Sequence, residues 1–126
     1  MPVRVYECAA EESEAVKRIL EYNPAMDKSI TLEEYNALLK DEYKGVIFSK
    51  QECLMKEGRD AGMNDGKYYI YINAGEEFLE SAEKRFKHDF KTVKRASPES
   101  ERKIIELIKS EESRVNSGVG AIFGNL

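Results

Sequence analysis

Tyr68-Tyr69-Ile70-Tyr71-Ile72, flanked by Lys67 and Asn73, is the strongest β signal in the chain. Each of the five residues is aromatic or β-branched, and the run is apolar at consecutive positions. A strand of that kind suits a central place in a sheet with both faces covered. Side chains alternate along a strand, so Tyr68, Ile70 and Ile72 share one face, and Tyr69, Tyr71 and Asn73 the other.

Toward the N-terminus, Val3-Arg4-Val5-Tyr6-Glu7-Cys8 alternates and predicts a second strand, with Arg4, Tyr6 and Cys8 on one face. Ala15, Val16, Ile19 and Leu20 then recur at helical spacing. Asn23-Pro24 ends that helix, because a residue before proline avoids the α region. Thr31-Leu32-Glu33-Glu34 is a capping box, with Ile30 and Tyr35 as its hydrophobic staple. Leu32, Tyr35, Leu38 and Leu39 give the helix it opens an apolar face, and Gly45 is expected in a left-handed conformation just past its end.

Between that helix and the central strand the pattern admits two readings. Val46-Ile47-Phe48 reads as a short strand, and Ser49-Lys50-Gln51-Glu52 as a second capping box. Together they predict a helix from about Lys50 to Ala61 with Cys53, Leu54 and Ala61 inward. Gly58 counts against it by ~1 kcal/mol relative to alanine. The competing reading is a hairpin in which Val46 to Met55 pair with Lys67 to Asn73 across a glycine-rich turn.

Beyond the central strand, Phe78, Leu79, Ala82 and Phe86 form a helical stripe, and Phe90 to Lys94 an edge strand. Ser97-Pro98 opens another helix, with serine at the N-cap and proline at the first position. Its stripe is Ile104, Ile105, Leu107 and Ile108, and it is expected to end near Ser113. Gly118 to Leu126 reads as a terminal strand or docked tail, with Val119, Ala121, Ile122, Phe123 and Leu126 covered. Strands alternating with helices predict one α/β domain over residues 1–126. Its sheet is expected to be parallel or mixed, with four to five strands under four to five helices. A ferredoxin-like α+β arrangement is the competitor.

A chain of 126 residues can bury a core without metal or disulfide staples. Charged residues make up 35%, an excess that fits either a thermophile's ion-paired surface or an ordinary well-solvated one. The net charge of −4 argues against a surface built wholly for nucleic acid. No apolar run approaches the ~20 residues of a spanning helix. Cys8 and Cys53 are unclustered, which suits a reducing, cytoplasmic setting, and neither a cofactor nor a metal is expected.

Gly118-Val119-Gly120-Ala121-Ile122-Phe123-Gly124 resembles a phosphate loop in composition only, because no helix can follow it. If the two strands are neighbours, Tyr6, Cys8, Tyr69 and Tyr71 could gather into a ligand-binding cluster, with Cys53 as a further thiol. Core filling explains the same residues without a ligand. Lys84 to Arg95 holds six Lys and Arg residues against one acid, and Lys84, Arg85, Lys87, His88 and Lys91 are its candidate anion contacts. Cations also gather at helix C-termini for the dipole's sake, or to pair with Glu80, Glu83, Glu99 or Glu101.

No nucleophile–base pair or metal cluster emerges, so the sequence favours a small non-catalytic binding or interaction module. It would act as a homo-oligomer or with a protein partner. The alternatives are a small cytosolic enzyme built on a cysteine and the tyrosine face, and a phosphate or RNA binder using the basic segment.

Overall fold

The computed structural model describes the backbone of residues 2–124 and the side chains of residues 2–113. Four strands, β1 (Val3–Ala9), β2 (Glu52–Glu57), β3 (Lys67–Asn73) and β4 (Lys94–Arg95), form one sheet in the order β2-β3-β1-β4. The helices are α1 (Ser13–Glu21), α2 (Leu32–Lys40), α3 (Glu76–Asp89) and α4 (Pro98–Gly124). β3 is central, as its two-faced apolar sequence requires.

Every neighbouring pair in the sheet is antiparallel. The parallel or mixed sheet expected from the alternation of strands and helices is therefore corrected to an antiparallel α+β one. The alternation misleads because each helical crossover skips a strand. β1 and β2 run the same way with β3 between them, and β3 and β4 run the same way with β1 between them. That interleaving is the ferredoxin-like, split-βαβ arrangement.

The expected helix from Lys50 to Ala61 is also corrected. Glu52 to Glu57 pair with Tyr68 to Asn73 as a hairpin, from Glu52 opposite Asn73 to Glu57 opposite Tyr68. The connection needs positive φ at Gly62 (82°) and Gly66 (68°), which glycine adopts without steric cost. Ser49 does not cap a helix, and its hydroxyl donates to the Tyr22 carbonyl at 3.0 Å. Val46, Ile47 and Phe48 are buried, but as a loop and a 3-10 turn rather than a strand. Burial, not pairing, explains that short apolar run.

The sheet has two unlike faces. α1 and α3 cover the first, where Tyr6, Cys8, Ile70 and Ile72 meet Val16, Leu20, Leu79, Ala82 and Phe86. Phe86 lies at its centre, stacked on Phe48 (5.1 Å between centroids) and edge-on to Tyr6 (5.2 Å). α4 covers the second, where Ile104 and Ile108 pack on Val5, Tyr69 and Tyr71. Ser97 caps α4 as expected, its Oγ accepting the Ser100 amide.

α4 crosses the sheet from edge to edge. Near β4, Glu101 pairs with Arg95 at 3.4 Å, and at β2, Glu111 pairs with Lys56 at 2.8 Å. Three strand spacings of ~4.8 Å are about 14 Å, and ten residues of helix are about 15 Å. The helix does not stop near Ser113 but runs to Gly124. Val115, Val119 and Ile122 recur at helical spacing, a signal that the glycines obscured. The side-chain burial expected for Val119, Ala121, Ile122, Phe123 and Leu126 lies outside the described residues.

α2 carries its capping box as expected, yet it buries no side chain. Leu32 is 74% exposed and Leu39 39%. Gly45 lies past its end without positive φ. Glycine is needed there for space, since a Cβ would meet the Asp41 and Leu39 carbonyl oxygens at 2.5 and 2.7 Å.

The contrast between these two environments is measurable. Phe86→Ala should cost about 3–5 kcal/mol in denaturant unfolding, and Leu32→Ala no more than about 0.5 kcal/mol. A large loss from Leu32→Ala would mean that α2 packs against the body after all.

Candidate functional site

The β1–β3 register divides the tyrosine–cysteine cluster expected from sequence. Tyr6 lies opposite Ile70 and Cys8 opposite Tyr68, whereas Tyr69 and Tyr71 lie opposite Glu7 and Val5. Tyr6 and Cys8 thus face α1 and α3, while Tyr69 and Tyr71 lie under α4. Cys53, opposite Ile72, belongs to the Tyr6 face but is separated from Cys8 by β3 and several rows. The five residues do not line one pocket.

Their polar atoms serve the fold. The Tyr6 hydroxyl donates to Glu83 at 2.9 Å, and Arg4 donates to the same oxygen at 2.9 Å. Burial, reinforced by that carboxylate, pushes the Tyr6 phenol well above its ordinary value. The Tyr69 hydroxyl donates to Asp65 at 2.5 Å, and burial followed by that bond pushes its pKa up to about 12. Burial also pushes the Cys8 thiol up to about 11, with Glu12 and Glu7 adding to it, and the Cys53 thiol up to about 12. Neither has the electropositive setting of a nucleophilic cysteine. His88 stacks on Tyr43 and its Nδ1 lies 2.7 Å from Asp89, so its partner is a carboxylate and not a thiol.

The basic segment is likewise divided. Arg85 pairs with Asp89 at 3.1 Å and donates to the Val46 carbonyl at 2.8 Å, which ties α3 to the loop after α2. Arg95 reaches Glu83 and Glu101. Lys84 and Lys87 are exposed and form no ion pair with a described carboxylate. Lys91 belongs elsewhere, to a cleft of about 470 Å³ at the end of the sheet.

Glu7, Lys67, Lys91, Thr92 and Lys94 line that cleft, with the backbone of Cys8 to Ala10 and the turn at Asp65 and Gly66. Glu7 is only 8% exposed, and Lys67 (3.1 Å) and Lys94 (3.3 Å) reach its two oxygens, so this buried carboxylate is paired on both sides. Glu12 fixes the Lys91–Thr92 side of the cleft, accepting the amides of Lys91 (3.0 Å) and Thr92 (2.7 Å) and the Thr92 hydroxyl. Burial works against its charge, but these bonds prevail and hold Glu12 below the usual carboxylate range. Sequence reading named Lys91 as a contact, held Lys94 only as part of the basic segment, and missed Lys67 and Glu7, which only strand pairing brings to them.

Two surfaces bear on partners. The first is the outer edge of β2, which ends the sheet. Glu52, Leu54 and Lys56 share the α4 face there, and Leu54 is 37% exposed. The second is α2 with the turn before it, where Met26 is 75% exposed and Leu32 74%. Among the described residues no group of three or more His, Cys, Asp or Glu could hold a metal, and no helix is long and apolar enough to cross a membrane.

No protein-family model, curated protein or solved structure matches this chain. The thiols offer a first check. With its pKa at about 11 instead of 9.0, Cys8 carries about a hundredfold less thiolate than an ordinary cysteine near pH 8. Both thiols should react slowly with disulfide reagents in the native protein and quickly once it is unfolded. The raised native pKa values also mean that the folded state holds these protons more tightly. Their stabilising effect is therefore complete below pH 9 and lost as pH rises toward 11–12. Fast native labelling of either thiol at pH 7 would contradict both statements.

Proposed function

We propose that the chain is a non-catalytic interaction module that works as a homodimer, joined edge to edge through β2. The observation that carries this is the sequence of the exposed edge itself. Pairing β2 antiparallel with a second β2 about Leu54 sets Leu54 against Leu54, and Glu52 against Lys56 on both sides of the twofold axis. Cross-strand pairs of opposite charge and apolar pairs each favour such a register. An unpaired, partly apolar edge is also a standing invitation to association, which proteins otherwise block with bulges or inward charges. β2 has no bulge, since its ladder with β3 is unbroken, and the charges on its α4 face, Glu52 and Lys56, are of opposite sign and are the two that the pairing sets against each other.

Stable interfaces bury ~800 Å² per partner, more than a six-residue edge provides. α4 is the element positioned to add area. It reaches β2 at Glu111 and continues to Gly124, in the direction where a partner's sheet would begin. The isologous geometry needs only one surface used twice, which is the commonest way soluble chains pair. Inert thiols and carboxylate-bound tyrosines favour this reading over an enzyme.

Charge reversal tests it. Native mass measurement should give twice the 14.4 kDa of the chain. Glu52→Lys alone and Lys56→Glu alone should shift the mass toward monomer. The double variant should restore the dimer, because both cross-strand pairs return with their signs exchanged. Thermal midpoints of the same samples separate lost pairing from lost folding, since Lys56 also holds Glu111. A wild-type monomer would refute the proposal. So would a dimer untouched by these changes but split by Leu32→Glu, which would place the interface on α2.

A further inference from the structure

We propose that the cleft between Glu7, Lys67, Lys91 and Lys94 is a binding site for a small hydroxylated phosphate monoester. Nothing in this site is shared with the β2 edge, so it stands or falls separately from the dimer.

The charge arrangement selects the ligand. Three lysines line one cleft together with two carboxylates, Glu7 and Asp65. Glu7 answers Lys67 and Lys94, while Asp65 is taken up by the Lys67 amide and the Tyr69 hydroxyl, and Glu12 behind the cleft by the Lys91 and Thr92 amides. Lys91 forms no ion pair with a described carboxylate. Lys67 and Lys94 bridge to Glu7 yet their side chains remain 44% and 72% exposed, which leaves them open to a ligand from solvent. A dianionic phosphoryl group set among the three would gain charge-assisted hydrogen bonds without stripping Glu7 of its partners.

The walls then define the remainder of the molecule. Glu7 keeps free lone pairs, which accept hydrogen bonds from hydroxyl groups and repel further anions. Among the described residues no aromatic ring lines the cleft, so none offers a surface for stacking a base. At about 470 Å³ the space falls within the range of small-molecule sites, too small for a folded partner. Cation, acceptor and size together fit a polyol or sugar phosphate better than a nucleotide or a simple polyanion. Nucleic acid is disfavoured further by the chain's net charge of −4. The Lys91 and Thr92 amides are occupied by Glu12, so recognition rests on the lysine side chains and should be salt-sensitive.

Titration of the full-length, isotope-labelled protein with glycerol 3-phosphate, followed by amide NMR, tests the site. Saturable shifts are expected at Ala9, Ala10, Gly66, Lys67 and Thr92, smaller ones with inorganic phosphate, and none with glycerol. Lys91→Glu should weaken binding by about tenfold or more, the usual effect of losing one charged hydrogen bond, without lowering the thermal midpoint. Lys84→Glu with Lys87→Glu, outside the cleft, should leave binding unchanged. No saturable shift at millimolar ligand would overturn the proposal, as would binding indifferent to Lys91→Glu. Shifts along α3 on titration with poly(U), absent with the phosphate monoester, would replace it with nucleic-acid contact.

Discussion

Two seven-residue strands, β1 and β3, pair along their whole length, from Val3 opposite Asn73 to Ala9 opposite Lys67. Because side chains alternate with a period of two, this register allots every residue of both strands to one face or the other. Tyr6, Cys8, Ile70 and Ile72 go to α1 and α3, while Val5, Tyr69 and Tyr71 go to α4. A slip of one residue would drive Arg4 and Glu7 into the wrong layers and expose the aromatic core. The same register brings Lys67 and Lys94 to Glu7, so the cleft depends on it as much as the core does.

The second face is what distinguishes this chain from a bare split-βαβ sheet. With α1 and α3 on one side only, Val5, Tyr69 and Tyr71 would lie in water. α4 covers them, and its two ion pairs, Arg95–Glu101 and Lys56–Glu111, mark where it enters and leaves the sheet. Among the described residues, the large apolar side chains left exposed are Leu54 on β2, and Met26, Leu32 and Leu39 around α2. These are the places where a partner would gain most by hydrophobic contact.

Elements set by local chemistry were legible from sequence. The Thr31 capping box, the Asn23-Pro24 stop and the Ser97-Pro98 start each act within a few residues, and each is found where the sequence puts it. The two-faced character of Tyr68 to Ile72 correctly made β3 central. Strand direction was not legible, because it depends on which strand each crossover skips. β2 was misread since Glu52 to Glu57 is half-buried and short, and its partner lies beyond a turn whose glycines, Gly62 and Gly66, also suit a helix end. The cleft was legible only through the basic segment, at Lys91 by name and at Lys94 as one of its cations. Lys67, Lys94 and Glu7 lie on three strands, and only non-local pairing assembles them. The tyrosine cluster failed for the converse reason: strand adjacency was right, but the register set Tyr6 and Tyr69 on opposite faces.

Association through β2 makes its strongest demand on backbone hydrogen bonds, since half of the amides from Glu52 to Glu57 point away from β3 along an open edge. Hydrogen exchange at those amides, followed as a function of protein concentration, is the most direct measurement of the account. If two copies join there, exchange at the outward amides slows as concentration rises, in step with the population of dimer, while the β1 and β3 amides are unaffected. Outward β2 amides that exchange at the same fast rate at every concentration, in a protein that is nevertheless dimeric, would contradict it.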